Sequence, residues 1–581
     1  MNTTSTHRPK KSFLQKLTLA CGTGLLLAAS TVQAQSVQHI GKIWYILLEN
    51  RNFTQQSGET YGEQIYGSVD APYLNSLITP GNANAAQVSW CSAYHNVLAV
   101  YDGSGPSIHP SEPNYVWFEN GSNLSILNDN DPYGSGLSVN SINTFLTANP
   151  AYTPQNLCAL LQNASYTWKA YVEGTNQLNT LGNNINLGGT GNTTLTATAA
   201  PSSLWTVPLA SFSGNNAAYT NPYNHSTQWD FAVKHTGSLF FPATNGTTSL
   251  TVANTSTTNT LSGNYPPMPQ LASDLTNGTC ARLNVITPDQ FNDGHTGLAA
   301  AQHFTYNGVN YGTGGVNSAD RSRVAQMDNF CAQVVPQIMA SADYQNNGLI
   351  VIWTDETETS NGLQNDFKHT LLEIVISPLA KGNAYCSTLN YTHSSDLNTL
   401  QKIFQVTANS PSGFLNDAAN PSNHTPESLV GVQTQQAAQT LLSGQASTPS
   451  GYGTGQAYDL SDLFQPGVIP ATIPSVSITA SSYVFNRRTN SLSQAVLVTN
   501  LLGTAITTPV YLATNNLSAN TALINKAGLT ANSTPTGSPY VVVSNAGLAA
   551  GASTVVVLQF TNPASGGISD NLGVFTTSGT P

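Results

Sequence analysis

In Lys42-Ile43-Trp44-Tyr45-Ile46-Leu47-Leu48-Glu49-Asn50-Arg51 an apolar run stops abruptly at polar residues. Unbroken apolarity, rather than alternation, marks a strand covered on both faces, and such strands belong to sheets with helices packed on each side. Leu349-Ile350-Val351-Ile352-Trp353-Thr354 repeats the design and ends in Asp355-Glu356; a third run, Leu371 to Ile376, stops at Ser377-Pro378. Between them, Ser318 to Ala340 sets Val324, Met327, Phe330, Val334 and Ile338 at helical spacing. Buried strands alternating with helices predict an α/β domain, a mostly parallel sheet flanked by helices, over residues 37–465. Ligands of such sheets sit beyond the carboxyl ends of the strands, and there the sequence puts Glu49-Asn50 and Asp355-Glu356.

Beyond this domain the composition changes. A Gly-, Ser- and Pro-rich stretch runs from Ser443 to Gly455, and a Pro-marked linker occupies residues 466–474. Residues 475–581 carry only Arg487, Arg488 and Lys526 as basic groups and offer short apolar runs such as Tyr483-Val484-Phe485, Ala495 to Val498, Val510 to Leu512, Tyr540 to Val543 and Thr554 to Leu558. Turn residues between such runs predict a C-terminal β-sandwich of immunoglobulin-like size. At the other end, basic Arg8, Lys10, Lys11 and Lys16 precede an apolar stretch from Leu17 to Ala28 and a small-x-small site at Val32-Gln33-Ala34. That order predicts a signal peptide over residues 1–34 and a mature protein that is secreted or periplasmic.

The 581 residues include 17 Lys+Arg against 28 Asp+Glu, only 8% charged in all. Phosphate-backbone binding needs clustered Lys and Arg, so no nucleic-acid partner is expected. No segment after the leader is apolar enough to span a bilayer. Cleavage would leave five cysteines, Cys91, Cys158, Cys280, Cys331 and Cys386, without the close spacing of a zinc site; an oxidising compartment favours up to two disulfides among them.

Carboxylates are scarce in this chain, so their placement at two strand ends is informative. Glu49, Asp355 and Glu356 converging beside Asn50 would repel one another unless a cation neutralised them, and a divalent metal ion of unspecified identity is the expected cofactor. Of the 11 histidines, His109, His235, His295, His369 and His393 are the candidates for a role at the site. Gly121-Ser122 follows the apolar run Tyr115 to Phe118, which reads as a strand-to-helix turn where a serine could act as a nucleophile.

Taken in order, Ile46-Leu47-Leu48-Glu49-Asn50-Arg51-Asn52-Phe53, Pro110-Ser111-Glu112-Pro113-Asn114-Tyr115 with Asn120-Gly121-Ser122, Tyr166 to Tyr171, Lys234-His235, Ile286-Thr287-Pro288-Asp289 with Asn292-Asp293-Gly294-His295, Trp353 to Glu356, Ile376 to Lys381 and Tyr391 to Leu397 resemble the secreted phosphoesterase family of bacterial and fungal acid phosphatases and phospholipases C, within the alkaline-phosphatase-like superfamily. The resemblance covers residues 40 to 410. It implies a metal site of Glu49, Asn50, Asp355 and Glu356, joined by Ser122 as the nucleophile that the metal activates, with His235 and His295 near the phosphate. The implied activity is hydrolysis of a phosphate-ester substrate through a phosphoseryl intermediate. Pro113-Asn114-Tyr115 looks more like the acid phosphatase branch than the Pro-Asn-Arg form of phospholipase C relatives, so a phosphomonoesterase is expected. The alternatives are a phospholipase C-type phosphodiesterase and a non-catalytic secreted binding protein on the same scaffold. With few Lys or Arg near the motifs, metal and histidine are expected to supply the positive charge that meets the phosphate.

Overall fold

The computed structural model describes residues 39–55, 62–97, 108–132, 138–175, 177–178, 194–195, 201–207, 209, 211–215, 217, 219–246, 258–298, 302–312, 314–316, 319–358, 369–419, 459–533, 535–561, 567–577, 579 and 581. The expected signal peptide and the Ser443 to Gly455 stretch lie outside these residues. Seven strands form the central sheet: β1 (Ile43–Leu48), β2 (Val88–Cys91), β3 (Trp168–Val172), β4 (Leu283–Thr287), β5 (Leu349–Thr354), β6 (Glu373–Ile376) and β7 (Tyr385–Ser387). They lie in the order β7-β2-β6-β5-β1-β4-β3. Neighbours are parallel except at β6, which runs against both β5 and β2. The sheet is thus mainly parallel, with one reversed strand.

Strand alternation assigns successive side chains of β1 to opposite faces. Ile43, Tyr45 and Leu47 enter one core cluster, Trp44, Ile46 and Leu48 another, and all six are buried. Each such side chain removed from water contributes roughly 1.5–3 kcal/mol, which is why a run with no polar face is stable only here. The first face is covered by α2 (Ser111–Asn120) and α4 (His393–Phe404), the second by α1 (Pro72–Leu77) and α3 (Ala319–Met339).

Two expectations are overturned. Tyr115 to Phe118 is the interior of α2, not a strand, and every residue of that helix is buried. A helix enclosed on all sides has no polar stripe, so its apolar run reads like a strand. The cysteines are also unbridged: Cys91, Cys158, Cys280, Cys331 and Cys386 are all free. Even on adjacent strands, Cys386 stands opposite Trp90, not Cys91, so the two thiols point to opposite faces of the sheet.

From residue 459 the chain packs into the α/β core, where Leu460, Leu463, Phe464, Val468 and Ile469 are buried. It then forms two antiparallel sheets. One combines β8 (Val476–Ala480), β9 (Val484–Asn486), β10 (Ser491–Asn500) and β14 (Ser553–Thr561); the other β11 (Val510–Asn515), β12 (Gly528–Leu529), β13 (Pro539–Ser544) and β15 (Asn571–Thr576). Val496, Val498 and Phe560 of the first share a cluster with Leu512 and Val541 of the second. Gly503 N donates to Ser410 O at 2.8 Å, tying these sheets to the α/β core. No described helix is long and apolar enough to cross a membrane.

Candidate active site

The carboxyl ends of β1 and β5 meet because the two strands pair in register from Ile43–Leu349 to Leu48–Thr354. Past the last pair, Asp355 N donates to Leu48 O at 3.2 Å, and Asn50 N returns a bond to Asp355 Oδ1 at 2.9 Å. Asn50 accomplishes this at φ 46°, a left-handed turn that Asn tolerates better than other side-chain-bearing residues. Glu49, Asn50, Asp355 and Glu356 are therefore brought together as the strand ends predicted.

A serine lies among them, but it is Ser111. Its Oγ is 2.9 Å from Glu49 Oε2 and 3.2 Å from Glu356 Oε1, with Asn50 Nδ2 at 3.4 Å. Ser111 is the first residue of α2, at the positive end of the helix dipole. Ser122 sits elsewhere. Gly121, at φ 73°, ends α2 with a left-handed cap, and Ser122 follows it, roughly 15 Å along the axis from Ser111 at the usual rise per residue. Its Oγ accepts from Leu124 N at 3.1 Å, a local turn bond. The nucleophile and metal-ligand roles read for Ser122 are thus not met by its position. Two signals in the sequence pointed to this: Pro110 just before a helix start and Gly121 just after a helix end.

The remaining lining brings in His235 and His295, which the resemblance set near the phosphate, and further residues to which it gave no role. Tyr115 OH donates to Glu49 Oε1 at 2.8 Å, and its ring stacks on His235 at 4.9 Å. His235 Nε2 is 3.0 Å from Glu49 Oε1, and its Nδ1 is 3.5 Å from Asp293 Oδ2. Glu356 Oε2 accepts from Asn114 Nδ2 at 3.1 Å and lies 2.9 Å from His109 Nδ1. His295, held by Asp293 Oδ1 through its N–H at 2.8 Å, has its ring 6.5 Å from that of His235. Behind the cluster, His393 Nε2 meets Asp355 O at 2.6 Å while its Nδ1 contacts Tyr94 OH at 2.9 Å.

Electrostatics here run toward neutrality. Burial, then Asp355, Asp293 and Glu356, push the Glu49 carboxyl well above its usual range. Burial and the adjacent Glu356 raise Asp355 to about 8. The histidines move the other way: burial first, then Lys234 and His295, drives His235 far down, and burial with Lys234 and Arg323 takes His295 to about 4.

The donor set suits a hard divalent ion. Ser111 has one hydroxyl proton for two carboxylate oxygens, and Glu49, Ser111, Asp355 and Glu356 offer oxygen ligands, as magnesium- or calcium-like ions prefer. Among the described residues no three His, Cys, Asp or Glu side chains stand close enough together to hold a metal ion by themselves; here the carboxylates are linked pairwise through Ser111 and Asn50. A cation at this place would remove the charge that otherwise keeps protons on Glu49 and Asp355. The sequence model described as the Phosphoesterase family matches residues 49–407. No curated protein matches the chain.

Proposed function

Because the chain belongs to the Phosphoesterase family and hydrolyses phosphate esters, we propose that it is a secreted, metal-dependent, acid-phosphatase-type phosphomonoesterase whose nucleophile is Ser111. The observation that carries this reading is one hydroxyl, at the amino end of a fully buried helix, set 2.9 and 3.2 Å from two strand-end carboxylates. A divalent ion held by Glu49, Asn50, Asp355 and Glu356 would lower the pKa of that hydroxyl and offset the phosphoryl charge.

Ser111 Oγ attacks phosphorus, the P–O bond to the leaving group breaks, and a phosphoserine forms. The Ser111 proton departs along the bond it already makes to Glu49. Glu49 and His235, 3.0 Å apart, pass a proton to the leaving oxygen. In the second step a water attacks the phosphoserine, its proton goes to the same pair, and Ser111 is reprotonated as phosphate leaves. Tyr115 fixes Glu49 and the His235 ring together, so the proton path keeps its geometry.

Tyr115 also supports the monoesterase reading, since it fills the place where phospholipase C relatives carry Arg. The two C-terminal sheets fit an immunoglobulin-like sandwich appended to this catalytic domain, and the basic-then-apolar leader fits export. The test is phosphate release from nitrophenyl phosphate against choline release from phosphatidylcholine, each before and after chelation. Monoester turnover that chelation abolishes and added divalent ion restores is the expected result. Choline release as the faster reaction would overturn the monoesterase assignment, and chelator-resistant turnover would overturn the metal.

A further inference from the structure

Asp129 is clasped where an anion would bind. Its Oδ1 accepts the main-chain N–H of Glu112 at 3.2 Å, one residue after Ser111, and its Oδ2 pairs with Lys234 Nζ. One carboxylate thus spans the positive end of the helix that carries Ser111 and a lysine adjacent to His235. The two partners differ in exposure: the Asp129 side chain is 38% exposed, Lys234 only 16%. A sheltered cation therefore holds an anion that faces solvent.

The lysine charge belongs to the reaction centre. The neighbour of Lys234 in sequence, His235, sets Nε2 3.0 Å from Glu49 Oε1, and the lysine's partner Asp129 accepts the N–H of Glu112 next to Ser111. Burial opposes the Lys234 ammonium, but Asp129, Glu49 and Glu112 outweigh burial and hold its pKa above the ordinary lysine value. Other nearby cations are engaged elsewhere: Arg51 with Glu358 and Asp320, and Arg323 with Asp320.

We propose that the Asp129 carboxylate is an internal stand-in for the substrate phosphoryl group, displaced when substrate arrives, and that Lys234 then passes to a phosphoryl oxygen as a substrate-binding residue. The inference rests on the reading of Ser111 as nucleophile. A phosphoryl group presents more charge and more acceptor oxygens than a carboxylate and takes over both donors. Displacement has somewhere to go: Asp129 and Lys234 line a cavity of about 310 Å³ with Asp131, Ser211, Asp230 and Gln290.

Inorganic phosphate, titrated calorimetrically into the metal-loaded protein, tests this together with KM for nitrophenyl phosphate. Asp129→Asn should bind phosphate about fivefold more tightly, the scale of losing one exposed ion-pair competitor. Lys234→Met should weaken phosphate at least about tenfold, Lys234→Arg should restore most of that, and the Asp129→Asn gain should vanish in the Lys234→Met background. Thermal melts confirm that each variant is folded. Unchanged or weaker phosphate binding by Asp129→Asn, or binding within about twofold of wild type in Lys234→Met, overturns the proposal while leaving Ser111 in place. A wild-type protein that neither binds phosphate nor turns over the ester overturns both.

Discussion

Replacing Ser111 by Ala and, separately, Ser122 by Ala tests the central assignment, because each removes one buried hydroxyl of the same chemistry. In Ser111→Ala, Glu49 Oε2 keeps its bond from Asn50 Nδ2 at 2.8 Å, and Glu356 Oε1 loses the 3.2 Å contact. The structural cost is on the order of 1–3 kcal/mol, within what a folded domain tolerates. The catalytic cost is far larger. Without the nucleophile only direct attack by water remains, and kcat/KM should fall at least about 10³-fold, or ~4 kcal/mol of lost transition-state stabilisation. Ser122→Ala deletes an acceptor for Leu124 N at 3.1 Å, costing about 1 kcal/mol of stability and leaving kcat/KM within about twofold. Initial rates on nitrophenyl phosphate, thermal melts of both variants and mass spectrometry of the trapped phosphoenzyme give the comparison. Equal losses in the two variants, or a Ser111→Ala enzyme within about tenfold of wild type, would rule out Ser111 as the nucleophile.

His393→Ala removes the 2.6 Å contact to Asp355 O and should lower kcat about 10–100-fold while KM stays within about threefold; a change in KM alone in steady-state kinetics would argue that His393 touches substrate instead. Burial raises the Asp328 carboxyl to about 6 despite bonds from Tyr306, Leu74 and Tyr73. Its folded state then holds a proton more tightly than the unfolded chain, so its contribution is greatest below about pH 4 and is lost as pH rises through 6. Asp328→Asn should remove up to about 3 kcal/mol of that decline, read from urea midpoints across this range, and a slope unaltered by the substitution counts against it. Gly121→Ala places a Cβ 2.4 Å from Leu415 O at φ +73° and should destabilise the protein by about 3 kcal/mol in denaturant melts; a neutral result would show that the α2 cap can relax.

Strand ends were legible because a covered strand writes itself as an apolar run and its ligands as the first polar residues after it. Glu49, Asn50, Asp355 and Glu356 follow that rule. The helix Ala319–Met339 was legible from the spacing of Val324, Met327 and Phe330. Leu371 to Ile376 gave its strand but not its direction, since an apolar run is the same read either way, and β6 proved antiparallel. Ser111 was hidden by total burial of α2: with no polar face to set a period, Tyr115 to Phe118 imitated a strand and moved attention to the serine after it. Lys234 and Asp129 were illegible together, because the ion pair joins positions distant in sequence and no local pattern records it.

The unbridged cysteines carry a practical consequence. Burial lifts the thiols of Cys91, Cys158 and Cys331 well above their ordinary pKa, and only a thiolate reacts readily with an alkylating reagent. Iodoacetamide therefore meets almost none of them until the surrounding core opens. Cys91 lies in the cluster under α2 and Cys331 in the cluster on the opposite side of the sheet. Alkylation followed peptide by peptide becomes a pair of clocks, one for each face, timing whether the two halves of the catalytic domain open together or in turn.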